Sequence, residues 1–479
     1  MTSAAHQVSQ RGDPNIAAMP LPPLAAASDA AAALEVLPMP ALLEPSISAF
    51  LTRERALLFE LSRGLGPSVH YLFPEIFTAN IRRFQGVLRD AAVRHEVLFA
   101  MKVNRCACFL ETCGARGFGI DAASYEELRE ALAAGVGSRQ ICVSGPQKPA
   151  DTLILASRVG ALVAVDSLEE LKFIGELWSA GRLSRPLQIL LRWKGVTPRQ
   201  SRFGLSEADL HVACNSLQGA EHLVLRGLSF HLGGYDLEQR ARSLSASLDK
   251  IADLRANFDD CDTVDIGCGY SINYVARATW ERFSRHGGTD TGPCYPGWAR
   301  FAKHDSLQEI LAWRDGTRPT LSDRLRRDDV YLLLEPGRAA LDQAGLSVFR
   351  VNGAKRGAGE LYTVNLAGNS LSLSERWFDC EVHIDPILIG ASEIDQARRP
   401  VAATITGASC LEDDVFSMRR VRLTRVPRPG DLLAYANTAP YQMDFAETAI
   451  HRAKLPAKVV IESEGGRPVW RCERGPGHG

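Results

Sequence analysis

Eight short apolar runs, separated by longer segments, occupy this chain from residue 97 to residue 334. Two of the intervening segments, 126–135 and 168–181, carry apolar residues three and four positions apart, which is the spacing of an amphipathic helix. Strands that alternate with such helices predict a parallel sheet buried on both faces, and eight of them predict an α/β fold closed into a (β/α)₈ TIM barrel. The predicted strands are 97–101, 118–120, 140–143, 161–165, 188–191, 228–230, 263–266 and 330–334.

Chemically active side chains follow these strands. In a TIM barrel the carboxyl ends of all strands meet at one rim, where active sites are built. One polar residue after a strand is ordinary loop composition, but a lysine, a histidine, carboxylates, arginines and a glycine-rich loop at one rim predict a site. In strand order the residues are Lys102, Asp121, Ser144, Asp166, Arg192, His231, the loop 267–269, Glu335, Gly337 and Arg338.

These groups match the needs of one cofactor. A lysine after an apolar strand is partly desolvated, so we expect its pKa to fall towards the range in which a neutral amine attacks a carbonyl. The backbone N–H groups of 267–269 and the Arg338 guanidinium suit a phosphate. Glu335 offers a carboxylate to a pyridinium nitrogen, and His231 offers a flat ring. The rim therefore predicts a site for pyridoxal 5′-phosphate, with Lys102 as the attachment point.

After residue 340 the pattern changes to short strands bounded by turn residues, which predicts a C-terminal all-β sandwich or barrel. Strands are predicted at 346–351, 361–365, 380–384, 401–406, 421–423, 431–435 and 458–462, and 69–73 is expected to join them. We expect a disordered Ala/Pro-rich extension at 1–45, a segment joining the β-domain at 46–74, the barrel at 75–340, the β-domain at 341–470 and a tail at 471–479. Residues 270–329 form either an excursion over the barrel mouth or an extra helical layer.

Composition and charge argue against several other classes of protein. The formal net charge of -1 gives no electrostatic basis for binding nucleic acid or a membrane surface, and no apolar run is long enough to span a bilayer. The N-terminus does not resemble a secretory signal. The 11 scattered cysteines favour a reducing cytoplasm over a disulfide framework. Cys106, Cys108 and Cys113 fit no common zinc spacing, so we interpret them as packing residues and predict no metal.

Several motifs resemble those of the barrel-type decarboxylases that use pyridoxal phosphate, which include diaminopimelate, ornithine and arginine decarboxylases. The barrel of this family is also similar to that of alanine racemase. The resemblance extends from about residue 68 to residue 462. Its motifs are FAMKVN at 99–104, FGIDAAS at 118–124, SRFG at 201–204, FHLG at 230–233, DIGCGY at 265–270, EPGR at 335–338, GASC at 407–410 with Asp414 after it, PGD at 429–431, and Tyr441.

The resemblance implies roles for these residues. Lys102 would form the Schiff base with the cofactor, His231 would stack on its ring, and Glu335 would keep the ring nitrogen protonated. The phosphate would be held by Gly267, Gly269, Gly337, Arg338 and Tyr441, and Asp121 and Arg192 complete the predicted cofactor-binding set. Cys410 would come from the second subunit of a homodimer and protonate the carbanion after CO₂ leaves. The implied activity is removal of the α-carboxylate of an amino acid.

Three departures from the family pattern concern phosphate and substrate binding. Gly234 stands where the family has a serine, and Cys268 replaces the middle glycine of G-G-G, so phosphate binding is altered. Leu411 replaces the acidic residue that pairs with the distal ammonium of the substrate, and a buried ammonium without a counter-charge is costly. Leu411, Glu412, Asp414 and Arg338 are the predicted substrate-binding residues. We therefore expect a larger or modified amino acid rather than ornithine, lysine or diaminopimelate.

Two other functions remain open at this point. A pyridoxal-phosphate racemase or epimerase has a similar barrel and lysine, but uses a tyrosine as second acid or base and an arginine at the ring nitrogen. Glu335 and Cys410 argue against that alternative. A non-catalytic homologue that binds a regulatory partner is the second alternative, and the presence of Lys102, His231, Glu335 and Cys410 argues against it.

Overall fold

The computed structural model describes residues 36–473 apart from 199, 288–293, 358–360, 379, 391–398 and 444. Of the extension expected at 1–45, residues 1–35 lie outside the described residues. Met39, which also falls in that extension, is packed in the protein and not disordered as expected. It is buried, and its backbone N–H donates to Asp385 Oδ2 at 2.7 Å. Two helices and a strand then lead to the barrel, namely α1 (Pro45–Arg53), α2 (Arg55–Gly64) and β1 (Ser68–Leu72).

The predicted barrel is confirmed as a closed sheet of eight parallel strands. The strands are short and buried on both faces because helices cover the outside and apolar side chains fill the inside. They agree with the predicted runs to within a few residues, except that the sixth begins earlier, at Leu223. The strands are β2 (His95–Ala100), β3 (Gly119–Ala122), β4 (Ile141–Val143), β5 (Leu162–Val165), β6 (Leu187–Arg192), β7 (Leu223–Ser229), β8 (Thr263–Asp265) and β9 (Tyr331–Leu334).

Helices fill the connections between the strands. Serine caps start three of them, since Ser124 Oγ accepts the Glu127 N–H, Ser167 Oγ accepts the Glu170 N–H and Ser206 Oγ accepts the Asp209 N–H. A serine at this position satisfies a backbone donor that the first helical turn cannot. The helices of the first seven connections are α3 (Pro74–Asp90), α4 (Ala107–Arg116), α5 (Tyr125–Ala133), α6 (Ala150–Val159), α7 (Leu168–Ser179), α8 (Glu207–Leu217) and α9 (Leu237–Leu254).

The long connection between β8 and β9 combines both predicted alternatives. It contains α10 (Arg277–Arg285), α11 (His304–Ala312) and α12 (Leu321–Arg327). Helices α11 and α12 pack on α9 and add to the outer layer of the barrel. The part before them lies between the barrel and the β-domain, where Cys294 bridges to Glu381 and Tyr295 donates its N–H to the Glu381 carbonyl at 2.9 Å.

The chain from Gly345 onwards, together with β1, forms the predicted all-β domain, a nine-stranded mixed sheet in which β1 lies between β10 and β16. Helices α1 and α2 pack their apolar residues on this sheet. The strands after the barrel are β10 (Gly345–Arg356), β11 (Leu361–Leu366), β12 (Ile387–Ile389), β13 (Val401–Thr406), β14 (Val421–Leu423), β15 (Leu432–Tyr435), β16 (Ala457–Glu464) and β17 (Arg467–Cys472).

Two predictions at the level of strands are wrong. Residues 380–384 make only an isolated bridge, because Glu381 turns inward to accept hydrogen bonds from Ser417 Oγ and from the Met418 N–H, and the strand forms later as β12. Strand β17 was not predicted and extends into the expected tail. Among the strands that the structure describes it pairs with β16 alone, and it is largely exposed, so its sequence lacks the apolar alternation that marks a strand. Among the described residues no helix is long and apolar enough to cross a membrane.

Candidate active site

Lys102 lies in a single 3₁₀ turn, Met101–Val103, directly after β2. Its two neighbours are buried in the barrel core, whereas the Lys102 side chain is exposed to the open mouth of the barrel. The apolar flanks therefore anchor the turn and leave the amine at the rim. This position is the predicted one, at the carboxyl end of the first barrel strand.

A chain of buried acids and a histidine faces this lysine. Glu335 follows β9, and its Oε2 lies 3.5 Å from Nδ1 of His231, which follows β7. Asp265, at the end of β8, accepts the Gly267 N–H at 2.9 Å and shares a hydrogen bond with Glu335. Burial opposes ionisation of Glu335, but the hydrogen bond and charge of His231, with help from Lys102 and Asp265, lower its pKa to about 2. Glu335 is therefore a buried carboxylate with a fixed negative charge.

Cys268 takes part in the same cluster, a contact that sequence reasoning did not anticipate. Its Sγ lies 3.2 Å from Nε2 of His231, on the opposite side of the ring from Glu335. Burial raises the pKa of the thiol, but the His231 and Lys102 charges outweigh burial and bring it down to about 6. The thiolate in turn is the main cause that raises the pKa of His231 to about 9. The His231 ring is thus an imidazolium held between two anions.

The expected fall in the pKa of Lys102 is wrong. Partial desolvation at the barrel mouth does lower the pKa of its ammonium, but electrostatic interactions with Cys268, Asp121, Tyr441 and Glu335 together raise it above its usual range. The rim collects more negative charge than the strand-end pattern indicated, and the thiol at position 268 is the first of the groups that raise it. Sequence periodicity reports that a side chain is near an apolar strand, but not which charges surround it.

The loop 267–269 forms a backbone cradle. Gly267 has φ +65° and Gly269 has φ +104°, a region that side chains rarely adopt. A Cβ on Gly269 would come within 2.1 Å of Arg240 Nη2 and 2.9 Å of the Gly234 carbonyl oxygen, so a side chain at this position would force one of them to shift. The hydroxyl of Tyr441 lies next to Gly337, 3.3 Å from where a Cβ would be, and the Tyr441 N–H donates to the Val103 carbonyl. Two glycine turns and a phenol thus surround one end of the site.

Arg338 is placed at the rim but is already paired. Its guanidinium makes a two-armed ion pair with the buried Glu375 and donates to Tyr274 Oη at 2.9 Å. The rings of Tyr295 and Tyr441 cover it at 4.3 and 5.0 Å. Any contact of Arg338 with phosphate or substrate would therefore be made in addition to its ion pair with Glu375. Glu375 was not predicted from the sequence because no motif surrounds it.

Of the two remaining predicted cofactor-binding residues, Asp121 lies among the groups around Lys102 and Arg192 does not. Asp121 lies within β3, buried, and burial together with Glu335 raises its pKa to about 7 although Lys102 opposes the shift. It accepts a hydrogen bond from Ser144 Oγ. Arg192 ends β6, pairs with Asp166 at 3.0 Å and stacks on Phe203 at 4.7 Å. Asp121 is thus part of the group around Lys102, whereas the described contacts of Arg192 are elsewhere on the rim.

The loop that carries Cys410 is open on the surface of the β-domain. Cys410 is exposed, and its N–H donates to His451 Nε2 at 3.3 Å. Leu411 is 45 % exposed, and Glu412 is exposed beside it. None of the described contacts of Cys410 is with the groups around Lys102 of the same chain.

Asp414 requires a correction as a substrate-binding residue. It is buried, and its carboxylate accepts hydrogen bonds from the Ser370 N–H and Oγ at 2.7 and 2.8 Å and from the Ser409 N–H at 3.0 Å. Both carboxylate oxygens are thus engaged inside the protein. The residue thus shapes the loop that carries Cys410 and Leu411, because its carboxylate is occupied by the backbone and side chains of its own chain.

The barrel rim fits pyridoxal phosphate by its donor set. A lysine amine, a buried carboxylate, an imidazole ring and two glycine turns with a phenol are present at one mouth. These are an attachment point, a partner for a pyridinium nitrogen, a stacking surface and a phosphate cradle. Among the described residues no cluster of His, Cys, Asp and Glu could hold a metal ion.

Comparison with known proteins gives a consistent result. Residues 77–289 match the model of the family described as "Pyridoxal-dependent decarboxylase, pyridoxal binding domain". An uncharacterized protein, y4yA of Sinorhizobium fredii, is 33% identical over 441 residues, which cover 90% of this chain and 95% of that protein. Diaminopimelate decarboxylase of Deinococcus radiodurans is 25% identical over 416 residues, 86% of this chain and 94% of its own.

A solved structure shares the architecture. Diaminopimelate decarboxylase of Helicobacter pylori, in a mutant form complexed with L-lysine, superposes with a TM-score of 0.69 at 18% identity. The match covers 86% of this chain and 95% of that one, so it includes both the barrel and the β-domain. At this identity the likeness concerns the fold, while the family is given by the sequence matches. This chain belongs to the pyridoxal-phosphate-dependent, barrel-type decarboxylases of amino acids, in a branch divergent from the diaminopimelate, ornithine and arginine enzymes.

Proposed function

We propose that this protein removes the α-carboxylate of an amino acid, or of a compound derived from one, whose far end carries no free ammonium. The observation that carries the proposal is a contrast within the site. Around Lys102 the groups required for the cofactor are assembled, whereas the position that normally reads a distal ammonium holds Leu411. The groups around Lys102 support the proposed reaction class, and Leu411 supports the proposed substrate class.

Pyridoxal phosphate supplies a sink for the electron pair that is left on the α-carbon when the carboxylate departs as CO₂. Glu335 would support that role, because its low pKa keeps it anionic and an anion beside the cofactor's ring nitrogen would keep that nitrogen protonated. The contacts of its two ring nitrogens with Glu335 and Cys268 hold the His231 ring in one orientation, and its flat face is available for stacking. Tyr441 and the glycine turns would hold the phosphate, and the Lys102 amine would be the point of attachment for the cofactor.

We further propose that the working unit is a homodimer in which Cys410 serves the barrel of the partner subunit. Cys410 is exposed in its own chain, which is what a residue that acts across an interface requires. The β-domain also exposes several large apolar side chains. Leu411 and Met418 are each 45 % exposed, and Phe378 and Phe445 are 55 % and 49 % exposed with rings 4.8 Å apart. Association with a second copy of the chain would cover side chains of this kind.

The proposed role of Cys410 is to hold a proton on Sγ and deliver it to the α-carbon after CO₂ has left. Proton delivery by a positioned side chain gives the amine product, and absence of the donor leaves the carbon without its hydrogen. Cytoplasmic localisation is consistent with a free thiol in this role and is part of the same proposal.

The test is a substrate screen by CO₂ release in heavy water. Ornithine, lysine and diaminopimelate should release CO₂ at rates near the background, and amino acids with neutral or modified side chains should release it with one deuterium incorporated at the α-carbon. Turnover of any of the first three at ordinary enzymatic rates would contradict the proposed substrate class. Exchange of the α-hydrogen without CO₂ release would indicate a racemase and contradict the proposed reaction.

A further inference from the structure

Arg240 lies completely buried on α9, four residues after the N-cap Asp236. Its guanidinium is directly beneath the glycine cradle. Nη2 donates to the carbonyl of Cys268 at 2.5 Å and to that of Leu232 at 3.3 Å. An arginine in this place thus contacts the backbone of two loops at the rim, the one after β7 and the one after β8.

The charge of this arginine has no partner in the part of the chain that the structure describes. Its Nε and Nη1 are buried without a hydrogen-bond acceptor, and none of the described carboxylates is within ion-pair distance of it. The guanidinium carbon lies 6.0 Å from the centroid of the Tyr270 ring, which is uncharged. Burial of an unpaired cation is unfavourable, so a buried guanidinium with two unused donor nitrogens points to an anion that the chain itself does not provide.

A second buried arginine on the same side of the barrel shows what a purely structural role looks like. Arg324, on α12, donates to Ser245 Oγ and to Asp249 Oδ1, both at 2.7 Å and both on α9. Its charge is matched by a carboxylate within the packed helices. Arg240, on the same helix as those two acceptors, has no such match among the described residues.

The position of Arg240 identifies the anion. A Cβ on Gly269 would lie 2.1 Å from Nη2 and 2.9 Å from the Gly234 carbonyl oxygen, so the guanidinium, the cradle and Gly234 meet at one point. Gly234 is where the family pattern has a serine, whose hydroxyl this chain lacks. We propose that Arg240 is the counter-charge of the cofactor's phosphate and offsets the loss of that hydroxyl. The group recognised is a phosphate monoester dianion.

The test measures binding to the apoprotein with three probes, namely pyridoxal phosphate, pyridoxal and inorganic phosphate. Arg240→Gln keeps a hydrogen-bond donor but removes the charge. It should weaken pyridoxal phosphate and inorganic phosphate by at least about tenfold and leave pyridoxal within about twofold. Arg242→Gln, two positions along α9 and exposed, is the matched control and should change none of the three dissociation constants.

A double variant tests the compensation directly. Gly234→Ser in the Arg240→Gln background should recover part of the affinity for pyridoxal phosphate and none for pyridoxal. The proposal is overturned if Arg240→Gln binds pyridoxal phosphate as tightly as the wild type, or if it loses pyridoxal to the same extent.

Thermal unfolding of the apoprotein separates charge from packing. Because the variant no longer buries an unpaired cation, apo Arg240→Gln should unfold at or above the wild-type temperature and gain less on adding pyridoxal phosphate. If that variant does not fold, Arg240→Lys provides the same test, since it keeps the charge. Arg240→Lys should bind pyridoxal phosphate within about fivefold of wild type. An equal loss of pyridoxal phosphate and pyridoxal in the lysine variant would assign Arg240 to packing and overturn the proposal.

Discussion

The barrel mouth and the loop 407–414 of the β-domain differ in how their candidate functional side chains are held. At the mouth, His231 is held between Glu335 and Cys268 by contacts within a single chain. In the loop, Cys410 and Leu411 are exposed and only the shape of the loop is secured, by the buried Asp414. Contacts within one chain therefore organise the groups proposed to hold the cofactor, whereas the proposed proton donor and specificity residue are exposed. The two regions should respond differently to mutation.

Removal of the attachment lysine should have the largest effect. Lys102→Ala should abolish the near-visible absorption of the bound cofactor and lower CO₂ release by at least ~10³-fold, because the cofactor loses its covalent anchor. Lys172→Ala, an exposed lysine on α7, is the control and should retain both. Absorption spectra with borohydride reduction and peptide mapping make the measurement. Retention of cofactor on another lysine in the variant would assign the attachment point elsewhere.

The proton donor should separate chemistry from cofactor binding. Cys410→Ala should lower kcat by about 10²- to 10³-fold, since a positioned acid contributes on that scale. The absorption spectrum of the cofactor should not change, because Cys410 is exposed on the β-domain and makes no described contact with the barrel mouth of its own chain. Cys472→Ala, another exposed cysteine, is the matched control. If the two variants are equally active, the loop plays no part in catalysis.

The specificity residue offers a gain of function. Leu411→Glu places a carboxylate where a distal ammonium would lie, and should raise kcat/KM for L-lysine or L-ornithine by about tenfold or more, the value of one charge-assisted hydrogen bond. Val212→Glu adds the same charge at an exposed apolar residue on α8 and should have no effect. Steady-state kinetics on both amino acids provide the measurement. An unchanged preference in the Leu411 variant would show that position 411 does not read the substrate.

The smallest effect is expected from the Cys268 thiol in the glycine cradle. In the apoprotein, Cys268→Ser should move the pKa of His231 down from about 9 towards its ordinary value, because the main cause of the increase is the Cys268 charge. Around pH 8 the wild-type ring is then a cation and the variant ring largely neutral. NMR titration of the histidine ring measures this change, with Cys214→Ser as the control, and we expect kcat to change by less than about tenfold. An unaltered titration would contradict the thiolate–imidazolium pair.

Sequence reasoning anticipated the regular parts of the molecule best. Eight apolar runs with helical spacing between them specified the barrel, because its parallel strands are buried on both faces and periodicity records burial. The exposed edge strand β17 was missed for the converse reason, since little of it is buried. The strand predicted at 380–384 failed because Glu381 is held by side-chain contacts from residue 417, far along the chain.

The candidate site was predictable in membership but not in charge. Strand ends identified Lys102, His231 and Glu335, since topology alone brings those positions to one rim. The residues that set the protonation of these groups, Cys268 and Asp265, were not predicted. Their effect depends on three-dimensional distances, which the spacing of residues along the sequence does not give. Glu375 and Arg240 lie outside every motif, and Asp414 lies inside one but serves the loop itself.

The division of one site between two chains is tested most directly by a mixed dimer. Subunits carrying Lys102→Ala and Cys410→Ala are given different tags, co-expressed, and purified as heterodimers. If Cys410 acts on the partner's barrel, one of the two sites contains both wild-type residues, so each heterodimer should have about half the wild-type rate of CO₂ release while both parental homodimers stay nearly inactive. Heterodimers no more active than the parents would contradict the account, because Lys102 and Cys410 would then not complement each other across the interface.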